Sequence, residues 1–146
     1  MAASAVAPIP GLLIDTNVIL DVILARKPWA ADAVRVLDAV SRGRARGFVA
    51  AHAITTVYYL VEKARRRSIA TMAVSDLLQI LTVVPLEGSD FQRALALDLA
   101  DYEDAVQVAA HLKSGADYLV TRDARHFKGA PVSVRTAGEI LAMLAS

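Results

Sequence analysis

The stretch from Gly11 to Asp21, GLLIDTNVILD, places an abrupt polar stop between two apolar runs. Its first run, residues 12–14, predicts a short strand buried on both faces, because parallel strands covered by helices lack polar alternation. Thr16 or Asn17 is expected to cap the helix that follows. Ligands in open α/β sheets bind at the carboxyl ends of strands. Asp15 is therefore a candidate site residue, and a role only in turn and cap hydrogen bonds stays open beside it.

Apolar runs with strand or helix spacing divide the rest of the chain into alternating elements. We predict helices at residues 18–25, 29–40, 52–67, 70–81, 89–97, 102–114 and 136–144, and strands at residues 12–14, 47–51, 82–86, 117–121 and 132–134. Such alternation produces right-handed βαβ units around a parallel sheet. The predicted fold is a three-layer α/β/α arrangement with a mainly parallel central sheet of four to five strands. We expect a single domain at residues 11–146 after a flexible tail at residues 1–10.

Composition restricts the classes of function. The 16 Lys and Arg residues nearly balance 15 Asp and Glu, so nucleic acid must be held by local patches rather than by overall charge. The lack of cysteine excludes thiolate metal sites and thiol catalysis and is compatible with a reducing compartment. The first ten residues do not have the pattern of a signal peptide, and no apolar run reaches the length of about 18 residues that spans a membrane. We expect a cytoplasmic protein.

Two further acidic residues stand in settings comparable to that of Asp15. Asp123 follows the predicted fourth strand, and Asp104 lies in the first turn of a helix that is otherwise almost uncharged. Asp101 is expected to cap this helix, and an acid at position 104 also suits the positive end of the helix dipole. The apolar residues after Asp104 nevertheless predict a buried helix. Asp104 and Asp123 are therefore candidate site residues together with Asp15.

Convergence of these carboxylates would require a compensating charge. Each pair about 5 Å apart repels by about 3 kcal/mol at an effective dielectric constant near 20, and three such pairs approach the stability of a small domain. At least one carboxyl group is then expected to titrate above its ordinary pKa, as part of a coupled cluster. Oxygen ligands without cysteine favour Mg²⁺ or Mn²⁺ over zinc. The chemistry that follows is metal-assisted hydrolysis of a phosphodiester.

Three segments of the chain, LIDTNVILD, DYEDAVQVAA and DYLVTRDARHF, resemble in order and spacing the PIN domain family. Many members are Mg²⁺-dependent ribonucleases, including the VapC-type toxins of toxin–antitoxin pairs. The resemblance runs from about Leu12 to the final helix. It implies that Asp15, Asp104 and Asp123 are the metal-binding and catalytic acids, that Mg²⁺ or Mn²⁺ is the cofactor and that RNA is the substrate. It also implies a small antitoxin partner, and apolar helix faces such as 70–81 suit a homodimer.

The second acid of the family, usually a Glu on the helix after the second strand, has no direct match. The segment AHAITTVYYLVEK places Tyr58 at the expected position and Glu62 one turn later. Glu62 either reaches the site from the same face or pairs with Arg66 at i,i+4. The missing acid also fits a catalytically weak PIN-like module that binds RNA or a protein partner.

Several neighbouring residues are candidates for supporting roles. Arg122 stands beside Asp123, where its guanidinium group suits contact with RNA phosphates. Asn17 and Thr121 are placed to orient the carboxylates, although capping or turn hydrogen bonds account for them equally well. His126 is either an acid or base near the site or a packed or surface histidine.

Two other classes of protein share part of this sequence pattern of acidic residues after strands. A phosphatase of the haloacid-dehalogenase type places a nucleophilic Asp after its first strand but needs a second acid two residues later, where this chain has Asn17. A response-regulator receiver needs an Asp at the end of the third strand, where this chain has Pro85 and Leu86.

Overall fold

Five parallel strands form the central sheet in a computed structural model that describes residues 8–145. The sheet order is β3-β2-β1-β4-β5, and the strands are β1 (Gly11–Ile14), β2 (Arg46–Ala50), β3 (Thr82–Val84), β4 (Tyr118–Val120) and β5 (Val134–Arg135). Residues 1–7 of the predicted tail lie outside the described residues. The predicted α/β architecture with a parallel sheet is confirmed.

Helices cover both faces of this sheet. They are α1 (Thr16–Ile23), α2 (Ala30–Ser41), α3 (Ala51–Ala64), α4 (Arg67–Ile80), α5 (Gly88–Ala96), α6 (Tyr102–Ser114) and α7 (Ala137–Leu144), with a 3₁₀ turn at Ala124–Phe127. Leu12 and Ile14 face a core formed with α1–α4 and α7. Leu13 faces a second core that includes residues of α6. Burial on both faces explains why β1 has no polar alternation.

The sheet register brings the candidate site together. β1 lies between β2 and β4, and Ile14 pairs with Val120. The Asp15 N–H donates to the Val120 carbonyl at 2.9 Å, so the residues after the two strands lie side by side. Helix α6 starts near the same end, since Gln107 of α6 donates to the hydroxyl of Thr16, next to Asp15, at 3.1 Å.

The structure corrects three local predictions. Asp15 itself is the N-cap of α1, accepting a hydrogen bond from the Thr16 N–H, so neither Thr16 nor Asn17 caps the helix. The predicted helix at 52–67 ends at Ala64, because the chain becomes extended at Arg66 before α4 begins. The last strand is Val134–Arg135 rather than 132–134, since its register with β4 begins at Val134.

Candidate functional site

Asp15 is a buried carboxylate at the end of the central strand. Its side chain is held from two sides: the Thr121 hydroxyl donates to Oδ2 at 2.8 Å, and the Thr16 N–H donates to Oδ1 at 2.8 Å. Burial raises the pKa of Asp15, and the charge of Glu103 raises it further, while the two hydrogen bonds lower it. The net shift is upward, so the site holds this carboxylate in an environment that disfavours its negative charge.

Asp104 belongs to the same electrostatic neighbourhood. Burial, followed by the charges of Asp101 and Asp15, raises the pKa of Asp104 to about 6. Asp101 caps α6 as predicted, accepting a hydrogen bond from the Asp104 N–H at 3.0 Å. The upward direction of both shifts is the one expected for carboxyl groups that share a buried site.

Asp123 is placed differently, because it is already neutralised. It begins the 3₁₀ turn, and Arg125 donates to it from Nε at 3.2 Å and from Nη2 at 3.4 Å. The hydrogen bond from Arg125 and the charges of Arg125 and His126 lower the pKa of Asp123. Arg125, from the same turn, therefore supplies a compensating charge for Asp123.

His126 connects two of the predicted acids. Its Nδ1 lies 3.6 Å from Asp104 Oδ2, and its Nε2 lies 3.2 Å from Asp123 Oδ2. The next residue, Phe127, is buried and anchors the turn in the core. His126 is thus a surface histidine, 58% exposed, whose ring lies between the two carboxylates.

Thr121 and Asn17 occupy the supporting positions that the sequence suggested. The Thr121 hydroxyl donates to Asp15 and accepts from the Asn17 amide and from the Asp123 N–H, each at 3.4 Å. Asn17 Oδ1 is buried without a partner among residues 8–145. One hydroxyl group therefore fixes the position of Asp15 relative to Asn17 and Asp123.

The segment around the missing second acid points away from this cluster. Tyr58 packs against the core beneath α4, and its hydroxyl lies 3.5 Å from Thr71 Oγ1. Glu62 is exposed and makes no ion pair with Arg66 or any other part of residues 8–145.

Two residues near the site were not identified from the sequence. Glu103 raises the pKa of both Asp15 and Asp104. Its only sequence signal is its place beside Asp104, in a first turn where acids are common for helix-dipole reasons. Gln107, one turn along α6, is fully buried and donates to the Thr16 hydroxyl at 3.1 Å. A polar residue within an otherwise apolar helix was the sequence signal that could have identified Gln107.

The chemistry of these donors suits a hard divalent cation. Asp15 and Asp104 are carboxylates with raised pKa values, and Glu103 adds a third negative charge, so a cation would relieve their repulsion. Within the described part of the chain, however, no group of three or more His, Cys, Asp or Glu side chains is spaced around one point. His126 stands between Asp104 and Asp123 in this arrangement. The donors fit Mg²⁺ or Mn²⁺ in kind.

Arg122 does not face the acidic cluster directly. Its guanidinium carbon lies 3.9 Å from the centre of the Trp29 ring, and its Nε lies 3.6 Å from Asp21 Oδ2. Arg122 and Trp29 line a cavity of about 600 Å³ together with Asn17, Asp123, Arg125 and His126. The predicted RNA-contacting arginine therefore borders a space that adjoins the acidic residues.

A search for membrane-spanning segments found no helix of sufficient length and hydropathy among residues 8–145.

Comparisons with known proteins give one family and a set of solved structures. A family model described as "PIN domain" matches residues 11–125. The VapBC2 complex of Rickettsia felis bound to a promoter DNA fragment is 13% identical, with a TM-score of 0.69 over 86% of this chain and 98% of that chain. VapC20 of Mycobacterium tuberculosis, described as a sarcin-ricin loop cleaving toxin, is 16% identical, with a TM-score of 0.69 over 85% and 98%.

A toxin–antitoxin complex from Klebsiella pneumoniae is 22% identical, with a TM-score of 0.65 over 86% of this chain and 97% of that chain. At these identities the likeness establishes the fold. Among curated proteins no significant match was found.

Proposed function

Since this chain belongs to the PIN domain family, we propose that it is a metal-dependent ribonuclease that hydrolyses RNA phosphodiester bonds and is the toxin of a toxin–antitoxin pair. The observation that carries the proposal is the gathering of Asp15 and Asp104 at the carboxyl end of the central strand, where burial, then the charge of Asp101 and then that of Asp15 raise the pKa of Asp104 to about 6. Such a cluster is suited to binding a divalent cation beside a phosphodiester. We further propose that residues 11–146 act as one domain in the cytoplasm.

Asp15, Asp104 and Asp123 are the residues that would hold Mg²⁺ or Mn²⁺. When bound, such an ion stabilises charge on the phosphate and lowers the pKa of a coordinated water. Thr121 and the Thr16 N–H orient Asp15 through hydrogen bonds of 2.8 Å each. Mutation of partners that orient metal ligands commonly costs 10–100-fold in affinity or activity, so Thr121 is part of the proposed site.

The remaining candidate residues are retained or dropped according to where they lie relative to the acidic cluster. Asn17 is retained, because it is hydrogen-bonded to Thr121 and its buried Oδ1 is free to accept a hydrogen bond. Arg122 is retained as a contact for RNA, because it borders the adjoining cavity. Asp101 serves as the cap of α6. Glu62 is not retained, because it has no contact with the cluster.

The partner proposed for this chain is a small antitoxin, in line with the toxin–antitoxin complexes that share its fold. A groove of about 500 Å³ runs between α1, α2 and α4, and its lining includes Val34, Leu37, Met72 and Leu77. Val34 and Met72 are 47% and 63% exposed, so an apolar partner surface would remove them from water. A second copy of this chain is the alternative occupant, and light scattering with and without the partner distinguishes the two.

The proposal is tested by RNA cleavage with the purified chain. Wild type should cut single-stranded RNA in Mg²⁺ or Mn²⁺ and lose activity in EDTA. Asp15→Asn and Asp104→Asn should each reduce the rate strongly while the fold is retained. Asp76→Asn, an exposed acid on α4, is the matched control and should cleave as wild type does. Equal activity in all four proteins would refute the site assignment.

One observation favours a second candidate function, a catalytically weak PIN-like module that binds RNA or a protein partner. Tyr58 occupies the position where the family carries an acid, and its hydroxyl contacts Thr71 instead of the cluster. Calorimetric Mn²⁺ binding that depends on Asp15, without turnover across a broad RNA panel, would favour this function over hydrolysis.

A further inference from the structure

Arg122 is held in place without using its hydrogen-bonding capacity. Its side chain is 26% exposed and stacks on Trp29, with the guanidinium carbon 3.9 Å from the ring centre. The 3.6 Å separation from Asp21 is an ion pair but too long for a hydrogen bond. Within residues 8–145 the guanidinium group donates to no acceptor. Arginine has five N–H donors, and none of those of Arg122 is a fully buried atom without a partner. The guanidinium group is therefore fixed in position while its N–H donors stay accessible to water or to a ligand.

Asp21 is the residue that fixes the position of the Arg122 guanidinium group. It interrupts the apolar run of α1, and its side chain is 1% exposed. Burying an unpaired carboxylate is costly, so its position requires a cation at that end of α1. Arg122 lies 3.6 Å from Oδ2, whereas Arg26 lies 3.9 Å from Oδ1, which accepts no hydrogen bond in the described structure. Asp21 thus anchors the guanidinium group electrostatically and leaves its N–H groups to other acceptors.

The space in front of Arg122 has the size and charge for an anionic group. The cavity of about 600 Å³ is lined by Arg122, Arg125 and His126 together with Asn17 and Asp123. Asp123 does not repel an anion strongly here, because Arg125 pairs with it. An anion on Arg122 would therefore share this cavity with Asp123, one of the proposed metal ligands.

Trp29 identifies the class of ligand. Its ring is 44% exposed and borders both this cavity and a neighbouring one of about 350 Å³, which Arg122 also lines. An arginine fork suits a phosphate, and an exposed aromatic ring beside it suits a nucleobase. A carboxylate from a protein partner would bind the guanidinium group but would not stack on the Trp29 ring.

We propose that Arg122, anchored by Asp21 and stacked on Trp29, binds a backbone phosphate of single-stranded RNA and that Trp29 stacks on an adjacent base. This inference rests on the proposed ribonuclease function, because it assigns the RNA contact next to the acidic cluster. Asp21 is a positioning residue in this arrangement, whereas Arg122 and Trp29 touch the ligand.

The test measures binding in EDTA, so that it does not depend on cleavage. Anisotropy of a fluorescein-labelled single-stranded oligoribonucleotide reports affinity. Trp29 is the only tryptophan in the sequence, so intrinsic fluorescence reports whether the ligand reaches this cavity. Inorganic phosphate and oligoglutamate are the comparison ligands. RNA should change Trp29 fluorescence saturably, inorganic phosphate should compete weakly, and oligoglutamate should leave the tryptophan signal unchanged.

Substitutions of Arg122 distinguish hydrogen bonding by its guanidinium group from attraction by its charge alone. Arg122→Gln should weaken RNA binding by about ten-fold or more, because a hydrogen bond to a charged group contributes about 1.5–3 kcal/mol. Arg122→Lys keeps the charge and, if the fork matters, should also bind more weakly than wild type. Asp21→Asn should lower affinity less than Arg122→Gln does. Arg42→Gln, an exposed arginine at the end of α2, is the matched control and should bind as wild type does.

Each outcome is decisive for this site. Equal RNA affinity in wild type, Arg122→Gln and Arg122→Lys would overturn it, as would a tryptophan response to oligoglutamate equal to that for RNA. The proposed function is judged separately through Asp15→Asn, which should bind RNA like wild type but fail to cleave it. If binding depends on Arg122 while wild type never cleaves RNA, the binding site stands and the ribonuclease proposal fails.

Discussion

Replacement of Asp104 by Asn should stabilise the metal-free protein at neutral pH. The Asp104 side chain is only 17% exposed, and its pKa rises from 3.8 to about 6 through burial and the charges of Asp101 and Asp15. At about 1.4 kcal/mol per pKa unit, keeping it ionised in the folded state costs about 3 kcal/mol. Asn has nearly the same shape but no charge. We therefore expect the variant to gain about 1–3 kcal/mol in the free energy of unfolding at pH 7.

Because the pKa of Asp104 is raised in the folded state, the stability gained by Asp104→Asn depends on pH. A carboxyl group whose folded pKa lies above its unfolded pKa binds its proton more tightly in the folded state. Its presence therefore costs stability as pH rises from 3.8 to about 6, and the full cost applies above that range. The advantage of Asp104→Asn should be largest at pH 7 and fall below about 1 kcal/mol by pH 4.

Urea unfolding of wild type, Asp104→Asn and the control Asp76→Asn, at both pH values in EDTA, measures this difference. Mg²⁺ should narrow the gap at pH 7, because it stabilises only a protein that retains the carboxylate cluster. A variant that is no more stable than wild type at pH 7, or whose gain is the same at pH 4, would refute the reasoning.

Three further predictions concern other positions. Glu62→Gln should retain wild-type RNA cleavage, because Glu62 has no contact with the cluster; a loss comparable to that of Asp15→Asn would contradict this. Gly47→Ala should lower the free energy of unfolding by about 1–3 kcal/mol, because an added Cβ would lie 2.5 Å from Leu81 and 2.7 Å from Val40; denaturation of the variant measures it. His126→Ala should raise the pKa of Asp104 further, because the charge of His126 lowers it; a carboxyl-resolved NMR titration that shows no rise would rule out the contact.

Local signals explain which parts of the fold could be predicted. β1 was recognisable because a continuous apolar run is typical of a strand buried on both faces, and its residues 12–14 are fully buried. Helix α6 was predicted with its observed bounds, since Asp101 caps it and Gly115 ends it in the left-handed conformation with φ 71°. The break between α3 and α4 was predicted after residue 67 but lies at Arg65 and Arg66, where neither glycine nor proline marks it.

The contacts of the candidate site depend on tertiary structure and were less predictable. The sheet order places Thr121 beside Asp15. The sequence suggested this proximity only because both residues lie at the ends of predicted strands. The position of His126 between Asp104 and Asp123 depends on the 3₁₀ turn after β4, which the sequence pattern did not reveal. The pairing of Asp21 with Arg122 was missed for the same reason, although an acid inside the apolar run of α1 was a visible signal.

The acidic cluster and the cationic cavity are electrostatically complementary parts of one arrangement. Asp15 and Asp104 share a repulsion that no side chain fully relieves, whereas Asp123 is compensated by Arg125 and His126. A cation held by Asp15 and Asp104 would offset negative charge close to this cavity, because His126 borders both the cavity and Asp104. Less negative charge there would reduce the repulsion of an RNA phosphate bound to Arg122. Binding of metal should therefore strengthen RNA binding, and by linkage RNA should strengthen metal binding by the same factor.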